Sequence, residues 1–256
     1  MTELFDLSGR IALVTGASGG LGRHFALTLA GAGALVAIAA RRRDKVADVA
    51  DEIRAAGGKA LAVSLDVVSR DSVAAAFDEV EAAAGGTVTV LVNNAGIAGR
   101  GPALDMDEET YDRVMETNLK GVWNVAQEAA KRMVKAGATG SVINIASILG
   151  VRIAKGLLPY AVSKAAVVQM TKVLALEWAP HGIRVNAIAP GYFVTDINRG
   201  FLNSPAGQAI VERIPQQRTG DQHDLDGPLL LLASDAGAYM TGAVVPVDGG
   251  HLITSV

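Results

Sequence analysis

The sequence contains no cysteine, which removes disulfides, zinc–thiolate and iron–sulfur centres and cysteine nucleophiles from consideration. It has no excess of positive charge either. The 23 Lys and Arg stand against 26 Asp and Glu, for a formal net charge of −3 and a pI near 5.8. No basic field therefore points to nucleic acid or to an anionic membrane. Long hydrophobic runs are also missing: stretches such as Ala34–Ala40 and Leu229–Ala233 fall far short of the ~20 residues that span a bilayer. The opening MTELFDLSGR carries acids and no signal-peptide core. The expectation is a soluble, cytoplasmic protein with a small-molecule partner and neither a nucleic-acid nor a membrane partner.

What is present is apolar material: half of the 256 residues are apolar and 19% are charged, enough for a large core. Short β-rich runs alternate with longer amphipathic ones. The candidate strands are Ile11–Thr15, Leu35–Ala39, Ala60–Leu65, Val88–Asn93, Ser141–Ala146, Arg184–Ile188 and Val244–Val247. Between them the spacing predicts helices over Leu21–Ala32, Asp44–Ala56, Ser72–Ala84, Glu108–Met133, Tyr160–Ala179 and Leu225–Ala233. This alternation reads as an α/β fold, a parallel sheet of about seven strands with helices on both faces. No composition shift or linker divides the chain, so residues 1–256 read as one domain. The irregular stretch from about 192 to 222 suits a flap over a substrate.

The first strand runs straight into Thr15-Gly16-Ala17-Ser18-Gly19-Gly20-Leu21-Gly22 and then into a helix. Glycines at 16, 20 and 22 permit a tight turn and let backbone N–H groups approach a pyrophosphate at the helix N-terminus. The arrangement is that of a Rossmann-like, doubly wound sheet. The second strand ends at Ala40 and continues into Arg41-Arg42-Arg43. No carboxylate is present to take the 2′-hydroxyl of NAD, whereas Arg41 offers charge-assisted bonds to a 2′-phosphate. NADP(H) is therefore favoured and NAD(H) remains possible. Arg42 and Arg43 read as a solvated helix start.

Tyr160-Ala-Val-Ser-Lys164 opens another predicted helix, and a separation of four residues stacks Tyr160 and Lys164 on one face. At ~5 Å and an effective dielectric of ~20, an ammonium is worth ~3 kcal/mol to a phenolate, or ~2 pK units. Ser147 follows the fifth strand, at the edge where parallel sheets present ligands, and its hydroxyl suits a substrate carbonyl. His24, His181, His223 and His251 show no ligand spacing and read as surface or packed residues, so no metal site is expected.

These residues together resemble the short-chain dehydrogenase/reductase family along essentially the whole chain. Thr15–Gly22 is similar to its cofactor glycine motif and Asn93-Asn94-Ala95-Gly96 to its fourth-strand motif. Asn118, Ser147, Tyr160 and Lys164 are similar to its catalytic tetrad, and Pro190-Gly191 and Val247-Asp248-Gly249-Gly250 to its late signatures. The resemblance implies that Tyr160 passes a proton, that Lys164 binds nicotinamide ribose and lowers the phenol pKa, and that Ser147 polarises a carbonyl. Asn118 would hold a water joining Lys164 to solvent. It further implies cofactor contacts from Gly16, Ser18, Gly20, Leu21, Gly22, Arg41, Asp66, Val67, Asn94, Ala95, Gly96, Pro190, Gly191 and Thr195, and a homotetramer. Gly19 stands where NADP-preferring members often carry a basic residue, so the NADP expectation rests on Arg41.

Substrate contacts are expected from Ser147, Leu149, Arg100, Arg152 and Tyr192 in the loops above the strand ends. The cations suit an anionic substrate. Leu4–Gly9 and Pro190–Phe193 are similar to the gluconate 5-dehydrogenase-like branch, with 3-oxoacyl-carrier-protein reductases also similar. The resemblance implies an oxidoreductase moving a hydride between nicotinamide and a ketone or secondary alcohol. The rival readings are a sugar-acid dehydrogenase, a 3-oxoacyl-thioester reductase using NAD(H), and a non-catalytic dinucleotide sensor.

Overall fold

The structure is a computed structural model that describes residues 2–194, 199–202 and 204–254. Its strands are β1 (Ile11–Thr15), β2 (Leu35–Ala40), β3 (Lys59–Ser64), β4 (Val90–Asn93), β5 (Gly140–Ile145), β6 (Ile183–Pro190) and β7 (Val244–Val247). They form one parallel sheet in the order β3-β2-β1-β4-β5-β6-β7. The helices are α1 (Gly20–Gly31), α2 (Arg43–Ala55), α3 (Arg70–Ala84), α4 (Glu108–Met115), α5 (Gly121–Ala136), α6 (Leu158–Trp178), α7 (Arg199–Leu202), α8 (Pro205–Val211) and α9 (Asp226–Ala233). This is the doubly wound, Rossmann-like sheet, and every expected strand is present to within two residues at each end.

The two-residue period of a strand divides the core into two layers. Ala12 and Val14 of β1, Val90 and Val92 of β4, and Ile143 of β5 face Phe25 and Leu29 of α1, Val46 and Ile53 of α2, and Leu229 and Leu232 of α9. The intervening Leu13, Leu91 and Val142 face Phe77 and Val80 of α3, Val125 and Met133 of α5, and Leu174 of α6. Strands buried on both sides must be apolar at every position, which is why they read as continuous runs.

Two predicted elements differ from those observed. The helix expected over Glu108–Met133 is broken: α4 and α5 are joined by a π-helical turn, Glu116–Lys120. Such a turn inserts a residue into the helical ladder, and here it carries the side chain of Asn118 into the interior. Within the stretch read as irregular, α7 and α8 are helical, and the Ser204 hydroxyl caps α8 by accepting from Gly207 N. Among the described residues, no helix is long and apolar enough to cross a membrane.

Candidate active site

Strand order reverses between β1 and β4, which opens a crevice at their carboxyl ends. The turn after β1 lies there. Gly16 has φ +64°, and a Cβ on it would sit 2.8 Å from Ala95 Cα. A Cβ on Gly22 would sit 2.5 Å from both Gly16 O and Asn94 Nδ2, so neither position admits a side chain. The backbone passes this close because Asn94 holds it. Its Nδ2 donates to Thr15 O (2.9 Å) and Gly16 O (3.2 Å), while the buried Thr15 Oγ1 accepts from Asn94 N and Ala95 N. At Gly19 and Gly20, by contrast, a Cβ would meet nothing within 4 Å. The result is a braced turn with an open rim at the N-terminus of α1, lined by Ser18, Gly20 and Leu21, which fits a pyrophosphate.

The end of β2 presents Arg41 as an exposed residue. Arg43 is taken up by an ion pair with Glu79, while Arg41 and Arg42 have no carboxylate partner among the described residues. Asp66 is partly spent locally, with one carboxylate oxygen accepting from Val68 N at 3.1 Å. Val67 beside it is buried. Across the crevice, Gly191 N donates to Val247 O at 2.8 Å, joining Pro190-Gly191 to the turn after β7. Thr195 lies outside the described residues.

Ser147, Tyr160 and Lys164 meet at the end of β5 and the start of α6. The Ser147 hydroxyl accepts from Leu149 N at 3.1 Å and lies close enough to the Tyr160 phenol to oppose the rise in its pKa. Lys164 is 4% exposed; its Nζ donates to Ile145 O at 2.6 Å and lies 5.7 Å from the centroid of the Tyr160 ring. An ammonium carries three N–H donors, and two of them find no acceptor among the described residues. A buried cation with unspent donors facing the crevice fits the hydroxyls of a ribose. Burial lowers the Lys164 ammonium to about 8.

The phenol departs from expectation. Burial pushes Tyr160 above its ordinary value, helped by the nearby Tyr192 and opposed by the Ser147 hydrogen bond. Desolvation is the largest influence on the phenol, and the lowering expected from Lys164, whose ammonium is bonded to Ile145 O, does not figure beside it.

Asn118 has no exposed surface. Its Oδ1 accepts from Ile97 N (2.8 Å), and its Nδ2 donates to Ile97 O (2.9 Å) and Ser163 Oγ (3.2 Å). Ser163 in turn donates to Tyr160 O at 2.7 Å. Both amide protons are committed, so the side chain fastens the loop carrying Asn94-Ala95-Gly96 to the helix carrying Tyr160. Ser163 was not singled out from the sequence, because a serine inside a helical pattern has no signature of its own. The buried relay of Asn93 Nδ2 to Asn144 Oδ1 (3.0 Å) and Asn144 Nδ2 to Thr171 Oγ1 (2.9 Å) was equally invisible.

The residues expected at the substrate divide. Leu149 is part-buried beside Ser147. Tyr192 stacks 5.6 Å from the His251 ring and lies within electrostatic reach of Tyr160, Arg100 and Arg152. Arg152 is engaged by the C-terminal segment, donating to His251 O and to Thr254 Oγ1 (2.8 Å). The cluster of His251, Thr254 and Arg152 has no signal in the sequence, since its parts lie about a hundred positions apart.

Sheet order and braced turn define the class: an α/β protein built to hold a dinucleotide. A family described as Enoyl-(Acyl carrier protein) reductase matches residues 16–251. The chain is 39% identical over 249 residues to a 2-dehydro-3-deoxy-D-gluconate 5-dehydrogenase of Dickeya dadantii, covering 97% of both chains. It is 40% identical to a 3-oxoacyl-[acyl-carrier-protein] reductase of Staphylococcus epidermidis, covering 93% of this chain and 97% of that one. A crystal structure of a gluconate 5-dehydrogenase from Burkholderia cenocepacia, in complex with NADP and tartrate, superposes with a TM-score of 0.95 at 38% identity and 99% coverage of each chain. The chain belongs to the short-chain dehydrogenase/reductase family, the NAD(P)-dependent oxidoreductases that act on CH–OH groups.

Proposed function

We propose that this chain is an NADP(H)-preferring oxidoreductase that interconverts a ketone and a secondary alcohol, with Tyr160 as the general acid and base. The observation that carries the reading is the Ser147 hydroxyl close enough to the Tyr160 phenol to act on its pKa, with the buried Lys164 ammonium one helical turn on. The nicotinamide, when bound, supplies or accepts the hydride. Ser147 holds the substrate oxygen and Tyr160 gives it a proton in reduction or takes one in oxidation. Lys164 orients the nicotinamide ribose and stabilises the phenolate. Asn118 is a positioning residue that fixes the approach of the Asn94–Gly96 loop.

For the cofactor, backbone at Gly16, Ser18, Gly20, Leu21 and Gly22 takes the pyrophosphate. Asp66 and Val67 flank the adenine, Asn94, Ala95 and Gly96 line the groove, and Pro190, Gly191 and Thr195 attend the carboxamide. Arg41 takes the 2′-phosphate. Its guanidinium, which has no carboxylate partner among the described residues, supports this, as does the NADP in the Burkholderia cenocepacia relative. Charge-assisted hydrogen bonds are worth about 1.5–3 kcal/mol. Arg41→Ala is therefore expected to raise KM for NADPH about 10–100-fold with little change for NADH. Equal effects in steady-state assays with the two cofactors would remove the preference.

The favoured substrate is an anionic polyol of the sugar-acid class, held by Arg100 and Tyr192 beside Ser147 and Leu149, with Arg152 bracing the C-terminal side. The two cations acting on Tyr192 support it, together with the gluconate-named relatives. A panel of aldonates, neutral ketones and 3-oxoacyl thioesters, followed by nicotinamide absorbance with each cofactor, tests it. Arg100→Ala should depress turnover of the aldonates and spare neutral ketones. A uniform loss would point to the thioester reductase reading, and cofactor binding without turnover of any compound would point to a sensor. The whole chain acts in this reading as one domain, with 192–222 as the flap. A homotetramer is part of the same proposal, since α6 leaves Val173 and Leu176 exposed, the latter at 80%.

A further inference from the structure

We propose that His24, His223 and Asp226 form a binding site for one divalent transition-metal cation of the zinc class, which ties α1 to the start of α9. The three residues are scattered in the chain, His24 and Asp226 lying 202 positions apart. The fold nevertheless brings a nitrogen of each imidazole and a carboxylate oxygen within 4.8 Å of one another. His24 Nε2 lies 2.7 Å from Asp226 Oδ1, and His223 Nδ1 lies 2.8 Å from Oδ2. The two rings meet edge to face at 4.9 Å.

The surroundings are those of a built site. His24 is 7% exposed and fixed in the second turn of α1. Thr28 Oγ1 donates to Asp226 Oδ1 at 2.7 Å, orienting the carboxylate as an outer partner orients a metal ligand. The turn bearing His223 is fixed by the Asp221–Asp224 capping box and by the Arg218–Asp224 ion pair.

Two imidazoles and one carboxylate suit zinc, cobalt or nickel; calcium and magnesium prefer all-oxygen sets. Two nitrogens on one tetrahedral ion stand about 3.4 Å apart. His223, with 81% of its side chain exposed, has room to make that adjustment and leaves the outer position to water. Each imidazole nitrogen that faces Asp226 is a donor in the metal-free chain. Coordination needs its lone pair, so the proton moves to the other ring nitrogen or is released to solvent. The bound ion would fasten the helix that carries the glycine turn to the chain directly following residues 192–222.

The experiment is titration of the full chain, without a histidine tag and stripped with a chelator, by Co2+ and then Zn2+. The expected result is a visible Co2+ absorption that saturates at one ion per chain and is displaced by Zn2+, with an unfolding midpoint that rises with Zn2+ concentration. His223→Gln keeps a hydrogen-bonding group opposite Asp226 but is a poor ligand. It should fold normally by circular dichroism, lose the absorption and weaken binding at least about 10-fold. His181→Ala, at an exposed histidine elsewhere, should change neither. The proposal is overturned by the absence of saturable one-to-one binding, or by binding that survives unchanged in His223→Gln; either result leaves a proton-shared His–Asp–His contact in its place.

Discussion

Replacing Tyr160 by Phe is expected to lower turnover about 1,000-fold while leaving cofactor affinity within about threefold. The substitution removes one O–H and keeps the ring, so α6 still packs as before and Lys164 still reaches Ile145 O. Only the neighbouring Ser147 hydroxyl feels the loss of the phenol. General acid–base groups contribute about 100–10,000-fold, and no imidazole is bonded to Ser147 among the described residues to take over the role. Burial raises the Tyr160 phenol and so favours its protonated form, and the loss should appear in reduction and oxidation alike, since one transition state serves both directions. Steady-state reduction rates, set beside fluorescence titration of the reduced cofactor, check both halves. Turnover within tenfold of the parent would end the assignment.

Lys164→Met is expected to abolish turnover and, in the same molecule, to make the cofactor-free chain more stable. Taking the ammonium from 10.5 to about 8 corresponds to a penalty of about 3 kcal/mol at neutral pH. Methionine fills nearly the same volume without that cost but gives up the charge-assisted bond to Ile145 O, worth about 1.5–3 kcal/mol. The net gain is up to about 1.5 kcal/mol, or up to about 6 °C in unfolding midpoint for a chain of this size. The pH dependence carries the diagnosis. A lysine depressed by folding pays its full penalty below pH 8, and the penalty fades as pH rises from about 8 to 10.5. The advantage of Lys164→Met should therefore be widest at pH 7 and nearly gone at pH 10. A difference that stays flat across that range would show that packing, not charge burial, separates the two proteins. A variant that gains stability while losing turnover is the outcome that the proposed chemical role of Lys164 requires.

The strands were legible because a parallel sheet covered on both faces demands apolar residues at successive positions, and β1 and β7 fall where the pattern places them. The glycine turn was legible because a positive φ at Gly16 and the contact of Gly22 with Gly16 O leave room for no other residue type. Tyr160 and Lys164 were legible as a pair because their spacing lies within one helix. The break between α4 and α5 was not. Asn118 sits among residues that pattern well as helix, and only the need to reach Ile97 and Ser163 makes the π turn worthwhile. Arg152 read as a candidate anion ligand, yet its guanidinium is taken by His251 and Thr254, residues brought in by the C-terminal segment.

Periodicity, glycine placement and short spacings act within one element or one turn. For that reason the positions of the strands along the chain, the cofactor turn and the tyrosine–lysine pair could be read from the sequence alone. The protonation tendencies of Tyr160 and Lys164, the bracing of Asn94 against Thr15, and the meeting of His24 with His223 and Asp226 depend on burial and on contacts between distant segments. Only the folded chain decides those, because desolvation and close approach are properties of a packed volume and have no counterpart in the order of residues.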